Sequence, residues 1–442
     1  MAKGVLMARH GMLLLVAAAI LICAGIGLIS PNVPVRADSL AATGDLRWYR
    51  GNMHTHSHWS DGDDYLESIA AWYQKEGYQF LVFTDHNVLA DRDHWVEIKK
   101  TKGKEAAFEK LKKQFPDWVD ERMVDGRHEV RLRRYTEVAE RFNKPGDYLL
   151  IQGEEISDKF QKYPIHMNVS NIKEVLTPRG GDSVAEVLQN NVDAAVAQRE
   201  RTGQPMIIHL NHPNFGYAVR AEDLMRIIGE RFFEVYNGHP GVNNSGDLQH
   251  AGAEAIWDIV LTKRLAELKL PVMFGIAVDD GHEYHNIPSR ASEPGRGWVM
   301  VLAKDLSSTA LIESLEAGRF YASSGVKLSR VDSSDEGLAV EVETVPGEEY
   351  TIEFIGTRKG YNTQSEPVLD AKGEEIHTTR RYSAEIGAVL ATVKGPKAQY
   401  KMQGDEVYVR ARVTSTAKHP NPSEVDEFQR AWVQPVVGPA GR

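Results

Sequence analysis

The chain has 442 residues, is 42% hydrophobic and 26% charged, and carries a formal net charge of −10 with a single cysteine. That composition excludes wholesale disorder and a collagen-like repeat, and the negative charge gives no support to nucleic-acid binding. The lone Cys23 excludes a disulfide framework and every cysteine-ligated zinc site.

At the start, Lys3, Arg9 and His10 precede an apolar run from Met12 to Ile29, and Val35-Arg36-Ala37 offers a small residue for cleavage. Residues 1–37 therefore read as a secretory signal peptide. The alternative is an uncleaved N-terminal membrane anchor, because the run approaches the length of a membrane span. Either reading puts the working part outside the cytoplasm, periplasmic or secreted. Removing the segment takes away three bases and no acid, leaving 49 basic and 62 acidic residues, a net charge of −13 and 15 histidines.

Beyond it, apolar strand-like runs occupy Trp48–Met53, Phe80–Thr84, Tyr148–Gln152, Ile165–Ser170, Met206–Leu210, Phe232–Tyr236 and Val272–Ala277. Helical spacing of Ala and Leu marks Tyr65–Lys75, Val184–Arg199, Ala221–Ile228 and Ile256–Leu268, with Asp182-Ser183 as an N-cap before the second. Repeated strand–helix alternation predicts an α/β fold on a parallel sheet, closed as a barrel or left open, over residues 45–325. Residues 92–147 interrupt it with a net-basic, highly charged segment that reads as a solvated helical insertion. The sharper alternative is an arm that draws an anionic substrate to the site. After Gly325 short apolar runs at Val340–Val345, Tyr350–Ile355, Ala391–Lys394 and Val407–Val413, separated by Gly, Pro and Asn, predict a small β-sandwich over 326–437. No ligand-type cluster falls in it.

Thirteen of the 15 remaining histidines lie between His54 and His285. In Gly51-Asn52-Met53-His54-Thr55-His56-Ser57-His58-Trp59-Ser60-Asp61-Gly62, residues two apart on a strand share a face, so His54 and His56 can reach one metal, and Asp61 follows the turn. Other strands run into Asp85-His86-Asn87, Gly153-Glu154-Glu155-Ile156-Ser157, Asn211-His212-Pro213-Asn214 and Asp279-Asp280-Gly281-His282. All of these residues sit at or just past the C-terminal end of a strand, the face on which barrel enzymes build their sites. Imidazole and carboxylate donors without thiolate suit Zn, Mn or Fe. Two or three such ions would activate a bridging water and polarise the scissile group. His58, His209 and His239 are candidates to protonate a leaving group or hold the substrate, while Asp85 and Glu154 read as groups that orient the ligands.

The run His-Thr-His with a downstream Ser-Asp-Gly, then Thr-Asp-His-Asn, Gly-Glu-Glu-Ile-Ser, His-Pro-Asn and Asp-x-His resembles the PHP (polymerase and histidinol phosphatase) domain, over roughly residues 48–325. Phe233-Glu234-Val235-Tyr236-Asn237-Gly238-His239 and Gly318 to Val326 are similar to its branch of carbaryl-hydrolase-type enzymes. The resemblance implies a distorted (β/α)7 barrel with up to three metals. His54, His56 and Asp280 would bind the first, and Glu155 would bridge it to a second held by His166 and His212. Asp61, His86 and His282 would bind the third. Glu154 competes with Glu155 for the bridge and His209 with His212; the Gly-x-Glu spacing and the His-Pro pair decide for Glu155 and His212. Glu155 and Asp280, with His58 and His239, would be the catalytic groups.

The expectation is a secreted, multinuclear metal-dependent hydrolase of phosphoesters, using a metal-bridging hydroxide on a small-molecule or polymer-derived substrate. One alternative keeps the site but cleaves a carboxylic ester, carbamate or amide. The other is a non-catalytic binding protein, against which the complete ligand set argues. Arg179, Arg220 and Arg296 are candidate phosphate-holding cations. Gly180-Gly181-Asp182-Ser183 reads as an ordinary turn, and the absence of a Gly-x-Ser-x-Gly elbow removes support for a serine esterase.

Overall fold

Short runs of Val, Ile, Leu and Phe with no polar alternation can form strands only where both faces are covered, and the first half of the chain is built from such runs. The computed structural model describes residues 46–442; the signal or anchor read at residues 1–37 lies outside them. No helix among the described residues is long and apolar enough to cross a membrane.

The chain runs β1 (Arg47–Asn52), α1 (Leu66–Lys75), β2 (Phe80–Phe83), β3 (His94–Glu97), α2 (Lys104–Gln114), β4 (Glu121–Val124), β5 (Arg127–Leu132), α3 (Tyr135–Phe142), β6 (Leu149–Phe160) and β7 (Tyr163–Ser170). It continues through α4 (Val184–Thr202), β8 (Ile207–Leu210), α5 (Ala221–Leu224), β9 (Phe232–Asn237), α6 (Ala253–Thr262), β10 (Phe274–Val278), β11 (Trp298–Ala303), α7 (Ser308–Glu316) and β12 (Phe320–Ser323). Ser183 caps α4 as expected, its Oγ accepting from the Glu186 N–H at 3.2 Å.

Thirteen strands form one sheet, which begins β10-β9-β8-β7-β6-β2-β1-β11-β12. It is mixed rather than parallel. β6 runs four residues past Ile156 and turns at Gln161 (φ 55°) into an antiparallel hairpin with β7, which pairs antiparallel with β8. The polar Ser157-Asp158-Lys159 stretch hides that extension from a hydrophobicity pattern. Nor does the pairing show a closed barrel. The free edge of β1 is taken by β11 in antiparallel register, Arg47 to Gly51 against Ala303 to Val299. Only a parallel bridge between Thr55 and Gly281 joins the far end of the sheet back to the segment after β1. The sheet therefore curls, bringing the C-terminal ends of β1, β2, β8, β9 and β10 toward one site.

The insertion also differs from its reading as helical. Besides α2 and α3 it holds a three-stranded antiparallel sheet, β3-β5-β4. In Arg127–Leu132 the apolar signal is confined to the buried Val130 and Leu132, too sparse to stand out among the charges. Its basic side chains are largely matched by neighbouring carboxylates, Arg122 by Glu129, Arg131 by Asp120 and Glu137, and Lys99 and Lys100 by Glu97.

The C-terminal strands are β13 (Leu328–Ser334), β14 (Gly337–Val342), β15 (Tyr350–Arg358), β16 (Ser365–Glu366), β17 (Arg381–Tyr382), β18 (Ala388–Lys394), β19 (Lys397–Lys401), β20 (Glu406–Lys418) and β21 (Phe428–Val437). β13-β14-β19 form a separate sheet, and Val331, Leu338 and Val340 from it share a buried cluster with Ile352, Phe354, Val409 and Val433 of the large sheet. That cluster packs the separate sheet against the large one. It is not cut off from the first half: β21 pairs with β12 through Tyr321–Val433, Ala322–Trp432 and Ser323–Ala431, so the large sheet passes from one half into the other.

Glu67 on α1 is fully buried, with Oε2 lacking a hydrogen-bond partner. Burial, only partly offset by Arg133, pushes its carboxyl from 4.5 up to about 7. The raised value means the folded state holds a proton that the unfolded chain releases. This stability is intact below pH 4.5 and is lost as pH rises through 7, by roughly 3 kcal/mol. Glu67→Gln is expected to unfold at a higher denaturant concentration than the parent at pH 8 and at nearly the same one at pH 4. Equal midpoints at both values would show that Glu67 is solvated.

Candidate metal centre

β1 ends at Asn52, and the next residues project His54 and His56 into a space walled by β6 and by the turn after β10. Asp280 occupies that turn in a left-handed conformation (φ 51°), which an Asp tolerates better than most residues, and the His56 N–H donates to the Gly281 carbonyl beside it at 3.0 Å. His54 Nε2 lies 3.0 Å from His56 Nε2, 3.2 Å from Glu155 Oε2 and 3.2 Å from Asp280 Oδ1. His56 Nε2 lies 3.1 Å from the same Glu155 oxygen and 3.2 Å from Asp280 Oδ1.

Such separations match the edges of a tetrahedron of ligands about 2 Å from a transition ion. The protonation pattern agrees. His54 Nδ1–H donates to Glu234 Oε1 at 2.7 Å, which leaves a bare Nε2 lone pair facing the other donors. Two imidazole nitrogens and two carboxylate oxygens buried round one point need positive charge among them, from protons on the rings or from a metal ion that replaces them. The residues present thus fit a divalent metal.

Glu155 joins this group to its neighbours. Its Oε1 lies 2.8 Å from His166 Nδ1, 3.6 Å from His212 Nε2, and accepts from Asn211 Nδ2 at 2.9 Å. Its Oε2 also lies 3.1 Å from His86 Nδ1. A third group forms round Asp61 Oδ1, at 3.4 Å from His282 Nε2, 3.5 Å from His86 Nε2 and 3.6 Å from His56 Nδ1. All nine positions expected to ligate metal are thereby brought together. The grouping differs in two respects: His86 stands with Glu155 and His166 as well as with Asp61, and His56 joins the Asp61 group through its second nitrogen.

The electrostatics follow from burying acids among imidazoles. Burial alone would raise Glu155 and Asp280, but His86, His54 and His166 around the first and His54, His56 and His282 around the second hold both well below the usual carboxylate range. Burial opposes a charged His56, yet its bonds to Asp280 and Glu155 outweigh that and push it up to about 10. The site calls for positive charge.

The supporting groups are distributed differently from expectation. Asp85 does not touch the ligand rings. Its two oxygens accept from Ser57 N–H (2.8 Å), Ser57 Oγ (2.7 Å) and Ser60 Oγ (2.6 Å), so it shapes the turn that carries His56 toward Asp61. Gly62 is needed there because a Cβ would come within 2.4 Å of the His56 carbonyl oxygen.

Glu154 corrects its reading as a ligand-orienting group. Successive strand residues point to opposite faces, and with Glu155 in the cluster, Glu154 turns away to accept from the Leu176 N–H at 2.8 Å. Burial pushes it up to about 7. His58 likewise turns aside: Nδ1 donates to the Gly62 carbonyl at 3.0 Å and its ring meets Tyr65 edge-on, with burial lowering it to about 4. His209 is buried with Nε2 3.3 Å from Glu234 Oε1. His239 stands at the rim, its ring 5.6 Å from that of His282. Its Nδ1 accepts the Gly241 N–H at 2.9 Å, so the neutral ring carries its proton on Nε2.

The residue missed is Glu234. Fully buried, it accepts from His54 Nδ1, from the His212 N–H at 2.7 Å and from Asn237 Nδ2 at 2.8 Å, and burial is overcome by His54 and His209 to bring it to about 2. A lone acid inside the otherwise apolar Phe232–Tyr236 strand was its visible signal. Asn211 and Asn237 complete the frame by donating to Glu155 and Asp280. Glu234→Gln is expected to weaken metal retention about 10- to 100-fold in a chelator competition; an unchanged competition curve would mean that His54 is oriented without it.

Of the three candidate cations, Arg296 is fully buried and bonded to the Gly238, Ala291 and Asn421 carbonyls and to Glu293, while Arg220 is bidentate to Asp223. Arg179 is exposed. In the Gly180 turn, the Gly180 N–H donates to Asp158 Oδ2 at 2.9 Å, as befits an ordinary turn.

The sequence matches no family model and no curated protein. Several solved structures resemble the chain weakly, two of them as follows. One is a two-domain protein from Bacteroides vulgatus containing a predicted PHP-like metal-dependent phosphoesterase, at 14% identity over 88% of this chain and 96% of that one, with a TM-score of 0.36. The other is a proposed metal-dependent phosphoesterase from Bifidobacterium adolescentis, at 13% identity over 60% of this chain and 96% of that one, with a TM-score of 0.30. Likenesses this distant leave the chemistry to be argued from the residues.

Proposed function

We propose that the chain is a metal-dependent phosphoester hydrolase acting outside the cytoplasm. The observation that carries the reading is the position of Glu155, whose two carboxylate oxygens face different imidazole groups, His166 and His212 on one side and His54, His56 and His86 on the other. His54, His56 and Asp280 would hold one ion with Glu155, His166 and His212 a second, and Asp61, His86 and His282 a third. Bound there, divalent ions supply an activated water and Lewis-acid stabilisation of developing charge. Adjoining donor groups suit a phosphoryl transition state, whose charge spreads over three oxygens, better than an acyl one with a single oxyanion. His239, with its proton on Nε2, acts as a hydrogen-bond donor to substrate rather than as the acid for the leaving group.

One observation favours a second reading. Arg220 and Arg296 are consumed by internal partners, which removes two cations that a phosphate would use and leaves a site suited to a neutral carboxylic ester, carbamate or amide. The motifs similar to carbaryl-type hydrolases belong with that reading. Metal analysis of the mature protein is expected to find about two or three ions per chain; a metal-free preparation that resists reconstitution would end the enzyme reading. Assay on 4-nitrophenyl phosphate, bis(4-nitrophenyl) phosphate and 4-nitrophenyl acetate then separates the two, and turnover of the acetate alone would reject the phosphoesterase.

A further inference from the structure

A cavity of about 730 Å³ opens between α6, the loop 239–252 and strands β20 and β21, and it shares no lining residue with the metal centre. Its volume is that of a site for a small organic ligand. Acidic and basic side chains both line it, but they are not equally free. Asp258 is bonded to Arg410 and Tyr408, and Glu254 is paired with Arg410 and Arg412. Asp247 is taken by His250, Tyr217 and two backbone N–H groups, and Glu424 by Ser245. Among the acids lining it, only Glu427 keeps an unbonded oxygen, Oε1.

The donors are left over. Arg430 has no carboxylate partner among the described residues and its Nε makes no hydrogen bond. Arg381 reaches only the Leu248 carbonyl, at 3.3 Å. Arg410, whose side chain is 1% exposed, also lines the cavity, but its Nη1 is paired with Glu254 at 3.1 Å. A guanidinium donor shielded from water and left unbonded, as Arg430 Nε is, is costly, and a ligand oxygen would satisfy it. Apolar side chains line it too: Ile355 and Val368 are buried, Leu248 is 95% exposed and Val389 50% exposed.

We propose that this cavity binds a small organic anion with an apolar body, its acid group held by Arg430 and Arg381 and its apolar part lying over Leu248 and Val389. The site is separate from the metal centre and does not depend on the reaction catalysed there.

The test is calorimetric titration of the full mature protein with naphthalene-2-sulfonate, an aromatic anion that is a poor metal ligand. Saturable one-to-one binding is expected, weakened about tenfold by Arg430→Gln through loss of a charge-assisted bond and weakened measurably by Leu248→Ser, a substitution on an exposed tip that leaves the fold intact. Binding should survive removal of metal with a chelator. The proposal is overturned if the parent protein shows no saturable binding, if both variants bind as the parent does, or if stripping the metal abolishes binding, which would place the probe in the metal centre.

Discussion

Glu155→Gln is expected to abolish measurable hydrolysis, with a loss on the order of 10³-fold or more, and to lower metal content in the same preparation. One ion acting as a Lewis acid is worth several kcal/mol, and each 1.36 kcal/mol is tenfold in rate. Loss of Glu155 reaches more than one donor group, because Oε2 stands with His54, His56 and His86 while Oε1 stands with His166 and His212. The Gln amide keeps the shape and the bond to Asn211 Nδ2 if its oxygen takes that position, so the fold should survive. It removes the negative charge and one acceptor. Metal analysis and initial rates on the same sample check the prediction; full activity with full metal content would mean that Glu155 is not the bridge.

The second large effect is on stability. Asp258→Asn is expected to destabilise the protein by about 3–5 kcal/mol, the usual cost of removing one partner from a buried ion pair. Asp258 on α6 receives Arg410 Nε and Nη2 at 2.7 Å each and the Tyr408 hydroxyl at 2.7 Å, and Arg410 itself is buried on β20. The pair fastens a helix of the first half to a strand of the second. Denaturation of Asp258→Asn, and of the double variant with Arg410→Met, checks this: the double variant should recover much of the loss, since a buried pair replaced by apolar groups is often neutral. A single-variant loss below about 1 kcal/mol would show that water already reaches the pair.

Much of the centre was legible before the structure. His54 and His56 share a face by strand period, and His86, Glu155, His212, Asp280 and His282 each follow an apolar run, so their convergence needed only a sheet with one active edge. Glu234 was not assigned to the site because its role depends on His54 and His212, 180 and 22 residues away in sequence. Glu154 and Glu155 are chemically alike and adjacent. Spacing favoured Glu155 as the bridge, and the turn of Glu154 away from the cluster is a matter of pleat, which appears once β6 is placed between β2 and β7.

By itself the sequence determined the local elements and the donor chemistry. Strand cores and the Ser183 cap are each encoded within a few neighbouring residues, and the imidazole and carboxylate donors without thiolate are set by composition. Only the tertiary structure decided how the sheet is connected. Whether β1 offers its edge to β10 or to β11 depends on contacts about 250 residues apart, where no local pattern discriminates and the entropy of loop closure changes little with length. The same holds for the pairing of β12 with β21, which carries the large sheet from one half of the chain into the other.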